Sequence, residues 1–151
     1  MEEPKRILMA EDDPRDVELT LSALQENNIV NEVVVVPDGA EALAFLRREG
    51  AYKHRAEGNP GLVLLDLKMP KVDGLQVLRE VRKDPALKLI PVVILTSSRE
   101  ERDLVEGYNL GVNAYVVKPV NFHEFVSAVK QIGLFWAVVN EPPPGTIRKQ
   151  S

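Results

Sequence analysis

No cysteine occurs in the 151 residues, which excludes disulfide frameworks and Cys-ligated metal sites. None is needed, because a chain of this length buries roughly 68–70% of its unfolded surface around one core. With 44% apolar residues, the profile is that of a single soluble domain. An excess of positive charge is missing as well. The 19 Lys and Arg residues stand against 23 Asp and Glu, for a net charge of −4. That balance argues against a surface built mainly for nucleic acid or anionic lipid, so neither nucleic acid nor membrane is expected as a partner. Long hydrophobic runs are absent too. Leu134–Val139 is far too short to span a bilayer, and the start Met1-Glu2-Glu3-Pro4-Lys5-Arg6 leads into no signal-peptide core. A cytoplasmic location is expected.

Five short apolar runs with β-branched enrichment are present: Ile7–Ala10, Val33–Val36, Leu62–Leu65, Val92–Leu95 and Tyr115–Val117. Segments with helical spacing alternate with them. The first three carry Val17, Leu21, Leu24, then Ala42, Leu43, Leu46, then Leu75, Leu78, Val81, Arg82. A fourth, Glu100–Leu110, sets Leu104, Val105 and Tyr108 on one face, and a fifth runs from Asn121 through Phe125, Val126 and Val129 to Ile132. Strands that are apolar throughout, rather than alternating, are covered on both faces, which predicts a doubly wound α/β domain with a parallel sheet. The punctuation agrees. Asp13-Pro14 reads as an N-cap with proline at the first helical position, Asp73-Gly74 opens the third helix, Asp84-Pro85 closes it and Pro91 precedes the fourth strand. The polar Ala51–Gly61 segment is an unusually long connection and reads as a surface loop.

In open parallel sheets ligands bind beyond the carboxyl ends of the strands, where strand order reverses. After the first strand come Glu11, Asp12 and Asp13, after the third Asp66, after the fourth Thr96, Ser97 and Ser98, and after the fifth Lys118 and Pro119. If Glu11, Asp12 and Asp66 converge, their like charges raise one another's pKa until a cation joins them. All the donors are hard oxygens and few in number, which suits Mg²⁺ with retained waters and a substrate phosphate. Phosphoryl chemistry follows: the cation and Lys118 neutralise equatorial oxygens, Thr96 donates to one, and a carboxylate attacks in line. Asp66 is the nucleophile candidate, standing alone after the central strand, whereas the adjacent Glu11 and Asp12 suit metal holding. Asp13 and Asp73 read as helix caps instead, and His54 and His123 as plain surface residues.

These residues resemble the receiver domain of two-component response regulators. The resemblance is carried by Ile7-Leu8-Met9-Ala10-Glu11-Asp12-Asp13, by Leu64-Leu65-Asp66-Leu67-Lys68-Met69-Pro70 with Asp73-Gly74, by Ile94-Leu95-Thr96-Ser97 and by Tyr115-Val116-Val117-Lys118-Pro119. It implies a flavodoxin-like sheet of order 2-1-3-4-5 with five helices. It also implies that Asp66 accepts a phosphoryl group from the phosphohistidine of a sensor histidine kinase. Asp12, Asp66 and the main-chain carbonyl of Lys68 would ligate Mg²⁺, Glu11 reaching it through water, while Lys118 contacts the carboxylate and then the phosphoryl oxygen. Thr96 and Tyr115 would form a switch pair, reshaping the face of helix four, strand five and helix five. Lys68 and Ser98 occupy positions that tune phosphoryl lifetime in the family, and the peptide before Pro119 is usually cis there.

The resemblance covers about Lys5 to Ile132, giving a receiver domain at 1–132 and an extension at 133–151 with no output domain. Five large apolar residues in the six from Leu134 to Val139 cannot share one helical face. They pack internally or form a self-complementary homodimer contact through the helix four–strand five–helix five face, with Pro142-Pro143-Pro144 as a stiff exit. The tail and the Ala51–Gly61 loop resemble stand-alone receivers that partner phytochrome-type sensor kinases. A rival reading is a phosphohydrolase turning over on Asp66. Such enzymes place a second acid two positions on, where this chain has Lys68. A phosphorylation-independent adaptor would have lost an acidic or lysine position, and none is missing. Dinucleotide binding is poorly supported, because the first strand leads into Glu-Asp-Asp-Pro instead of a glycine-rich turn.

Overall fold

A computed structural model of the chain describes residues 6–26, 32–69, 71–96, 111–112, 114–118, 123–124 and 127. Within them the order is β1 (Ile7–Ala10), α1 (Pro14–Glu26), β2 (Val33–Val36), α2 (Gly39–Arg47), β3 (Leu62–Asp66), α3 (Gly74–Lys83), β4 (Val92–Thr96) and β5 (Ala114–Val117). The five strands form one sheet of order β2-β1-β3-β4-β5, as expected, and every neighbouring pair is parallel. Residues of β1, β3 and β4 are buried throughout, which is why those runs carry no polar alternation. Three of the five expected α-helices lie among the described residues. The fourth segment, 100–110, and the tail from 133 lie outside them, as does most of the fifth, of which His123, Glu124 and Ser127 are helical.

Two strands run one residue further than their apolar runs. Asp66 pairs with Leu95 and Thr96 with Val117, so both polar residues are the last members of buried ladders rather than the first of loops. Their backbones are therefore fixed by the sheet, and only their side chains project from its edge.

Each described helix has a local reason to begin where it does. Pro14 occupies the first position of α1, and Asp13 Oδ1 accepts the N–H of Arg15 at 2.9 Å. Asp73 accepts the N–H of Gln76 at 2.8 Å to start α3, which ends at Asp84 before Pro85. The cap of α2, not singled out in the sequence, is Asp38, accepting the N–H of Glu41 at 2.8 Å. The Asp-x-x-Glu spacing was its signal. Helices α2 and α3 cover one face of the sheet, where Leu46, Val77, Leu78 and Val81 join Leu8, Val63 and Ile94 in one cluster.

The 51–61 connection is exposed for much of its length, yet it is tied down. It continues from a turn of 3₁₀ helix at Gly50–Tyr52. The Arg55 guanidinium donates to the carbonyls of Phe45, Ala56 and Gly58 at 2.6, 2.7 and 2.9 Å. It also lies 4.4 Å from the Phe45 ring centroid, so Arg55 closes the end of α2 and fixes the loop in one stroke.

Candidate functional site

The carboxyl edge of the sheet gathers the polar residues. Order reverses between β1 and β3, and there Glu11 and Asp12 follow one strand while Asp66 ends the other. Carboxylate oxygens of Glu11, Asp12 and Asp66 all lie within 4.8 Å of one another. Glu11 and Asp66 are 2% and 4% exposed, whereas Asp12 faces solvent. Glu11 is held by its own backbone, donating its N–H to the Val36 carbonyl at 3.0 Å, and its Oε2 accepts the N–H of Asp12 at 3.0 Å.

Lys118 arrives from the other side. Its N–H donates to the Thr96 carbonyl at 2.8 Å, continuing the β4–β5 ladder. Its Nζ reaches Glu11 Oε1 at 2.8 Å, Asp16 Oδ2 at 3.0 Å and Asp66 Oδ2 at 3.3 Å. Three carboxylates thus surround one ammonium, and Asp12 adds a fourth negative group beside two of them. The excess of negative charge shows in Glu11, which is pushed up to about 8, first by burial and then by the adjoining Asp66, with Lys118 pulling the other way. Burial works to lower the Lys118 ammonium, but the carboxylates around it outweigh that and hold it above its ordinary value.

Thr96 is fully buried, and its Oγ1 has no hydrogen-bond partner among the described residues. A buried hydroxyl without a partner costs about 1–3 kcal/mol, and this one ends β4 next to β3, the strand that Asp66 ends. Among the described residues, the three clustered carboxylates suit a hard divalent cation of the Mg²⁺ kind. All donors are oxygens, two are fixed by burial, and the exposed third leaves room for water.

Glu11, Asp12, Asp66 and Lys118 therefore come together as the sequence suggested. The Lys68 N–H approaches Asp66 Oδ1 at 3.5 Å while its side chain is exposed. Tyr115 sits half-buried in β5, packed against the core. His54 and His123 are exposed. Ser98, Pro119 and the helix four side of the expected switch face lie outside the described residues. Sequence reasoning missed Asp16. In the sequence it reads only as an acidic residue in the first turn of α1.

Gly74 shapes the site from behind. A Cβ there would overlap the Asp66 carbonyl oxygen and lie 2.8 Å from Leu67 Cα, and the Gly74 N–H donates to the Leu67 carbonyl at 3.0 Å. Gly74→Ala is expected to cost about 1–3 kcal/mol, the usual range for overpacking, by pushing α3 off the end of β3. A lower urea midpoint with unchanged m-value checks this.

Comparison with known proteins agrees with this geometry. Residues 7–130 match the response regulator receiver domain family. Response regulator Rcp1 of Synechocystis sp. is 41% identical over 133 residues, 88% of this chain and 89% of that protein. Among solved structures, the bacteriophytochrome response regulator RtBRR is 61% identical, covering 95% of this chain and 86% of its own at a TM-score of 0.86. The Mn(2+)-bound form of Rcp1 is 38% identical, covering 98% and 100% at a TM-score of 0.70. A parallel 2-1-3-4-5 sheet carrying an acid cluster, a lysine and a buried threonine at one edge, matched along nearly its whole length, is thus a response regulator, and the chain belongs to the receiver domain family.

Proposed function

We propose that Asp66 accepts a phosphoryl group from the phosphohistidine of a sensor histidine kinase, and that the change in charge at this site switches a partner-binding face. The observation that carries the reading is Lys118 Nζ at 3.3 Å from Asp66 Oδ2 beside the three-carboxylate cluster. Asp12, Asp66 and the Lys68 carbonyl, with Glu11 beside them, would hold Mg²⁺, which would supply charge neutralisation for the transferring group. An Asp66 oxygen bonds to phosphorus as the bond from phosphorus to the histidine nitrogen breaks, and the electron pair leaves with the imidazole. Lys118 then follows the new phosphoryl oxygens, and the orphaned Thr96 hydroxyl donates to one of them. Movement of Thr96 lets Tyr115 turn, which carries the signal to the helix four–strand five–helix five face. The same groups speed hydrolytic loss of the phosphoryl group, so the protein catalyses its own charging and discharge without turning over a separate substrate.

Residues 1–132 are the receiver and 133–151 an extension, whose apolar run at Leu134–Val139 covers a homodimer contact on that face; the edge position of β5 supports this. The likeness to the bacteriophytochrome response regulator RtBRR supports a kinase of the phytochrome-type, light-sensing kind. A donor charged from ATP puts the encounter in the cytoplasm, and no helix among the described residues is long and apolar enough to cross a membrane. Transfer from autophosphorylated bacteriophytochrome kinases, set against other histidine kinases with Mg²⁺ or EDTA, tests the pathway. Fast Mg²⁺-dependent transfer from a phytochrome-type kinase is expected. Equal rates from all kinases would contradict that pathway and leave the acceptor untouched.

A further inference from the structure

We propose that Asp16 is a positioning residue for phosphoryl transfer, the anchor that keeps Lys118 over the acceptor when its other two carboxylates are taken by the cation and the phosphoryl group. An ammonium has three protons to donate. Here they meet three carboxylates, Glu11 at 2.8 Å, Asp16 at 3.0 Å and Asp66 at 3.3 Å. Two of these partners belong to the cluster within 4.8 Å that suits a divalent cation, and Asp16 does not. Once a cation draws charge from Glu11 and Asp66, and Asp66 becomes an acyl phosphate, Asp16 is the partner whose hold on Nζ does not change.

Asp16 is well placed for that task. It stands in the first turn of α1, whose start is fixed by Pro14 and the Asp13 cap. Its own carbonyl accepts the Thr20 hydroxyl at 2.8 Å. The carboxylate is about one quarter exposed, with a side-chain accessibility of 26% against 15% for Lys118, so the pair is partly shielded from water and from salt. A lysine with four rotatable carbons and no second anchor would sweep a wide arc, and loss of near-attack placement by about 1 Å can cost roughly 100-fold in rate. The lysine contact with the acceptor is thus a three-part arrangement, in which α1 contributes a carboxylate that touches neither phosphorus nor the cation.

The proposal rests on Asp66 as acceptor and Lys118 as its phosphoryl contact, and the test separates the two. Full-length chain is charged with acetyl phosphate at saturating Mg²⁺, and the adduct is followed by intact mass in Asp16→Ala, Asp16→Asn, Lys118→Ala and Asp16→Ala/Lys118→Ala, with Asp66→Asn as control. Asp16→Ala is expected to lower the maximal rate about 10- to 100-fold, with Mg²⁺ affinity and half-saturating acetyl phosphate each within about twofold of the parent. Asp16→Asn keeps an acceptor oxygen for Nζ and should recover part of the loss, and it sustains the test should Asp16→Ala fail to fold. In the Lys118→Ala background the Asp16 substitution should cost nothing further. An equal loss in both backgrounds, no loss in either Asp16 variant, or a parallel fall in Mg²⁺ affinity would overturn the proposal. An adduct that survives Asp66→Asn overturns the acceptor assignment instead.

Discussion

Asp66→Asn is expected to accept no phosphoryl group and, in the absence of divalent cation, to melt at a higher temperature than the parent chain. The first effect follows from chemistry, since a carboxamide oxygen is a far weaker nucleophile toward phosphorus than a carboxylate. The second follows from electrostatics. Asp66 is 4% exposed and lies within 4.8 Å of the Glu11 and Asp12 oxygens, so the metal-free fold crowds acidic groups together with little water to screen them. Asparagine has nearly the same shape, and Lys118 keeps Glu11 and Asp16 as partners. The gain should be about 1–2 kcal/mol, or roughly 2–8 °C at this chain length. Saturating Mg²⁺ should narrow or reverse the difference, because it stabilises the parent by binding while the variant has lost a ligand. Thermal melts with and without Mg²⁺ check the stability limb. A metal-free variant that melts below the parent would show that the Lys118–Asp66 contact outweighs the repulsion.

The second large effect is on the pH dependence of cation binding. Glu11 is pushed up to about 8 in the metal-free fold, by burial above all and then by Asp66. A cation at the cluster needs Glu11 ionised, so binding below pH 8 displaces a proton. Mg²⁺ affinity should therefore rise roughly 10- to 100-fold from pH 6 to pH 8 and level off above. Calorimetry in two buffers of different ionisation enthalpy should find close to one proton released at pH 7 and almost none at pH 9. Stability carries the same signature with a definite sign. Between the ordinary glutamate value of 4.5 and about 8, the folded chain holds more protons than the unfolded one. The metal-free fold consequently loses stability as pH rises through that window, on the order of a few kcal/mol in all, and Mg²⁺ should abolish the loss. Affinity that is flat with pH, with no proton released, would contradict this account of Glu11.

Much of this arrangement was legible in the sequence, for physical reasons that can be named. Runs such as Leu62–Leu65 and Val92–Leu95 lack polar alternation because both faces of β3 and β4 are covered. That pattern alone fixes a parallel sheet and draws attention to whatever follows each strand. Glu11, Asp12, Asp66 and Lys118 were found that way, and the structure sets them at one edge. What escaped were contacts that depend on tertiary approach. Asp16 in a helix's first turn reads as a complement to the helix dipole, and nothing local reveals that Lys118, 102 residues away, comes to meet it. Arg55 in a polar loop reads as solvated until the end of α2 is folded beneath it. Asp66 and Thr96 read as loop residues because a ladder's last rung is set by its neighbour strand.

The central claim, that Asp66 is a Mg²⁺-dependent phosphoacceptor, is tested most directly by the intact mass of the full chain after incubation with acetyl phosphate and Mg²⁺, followed by peptide mapping of the adduct. One phosphoryl group on the peptide containing Asp66, absent when EDTA is added, is the predicted result. No adduct, an adduct on another residue, or one indifferent to EDTA would contradict it.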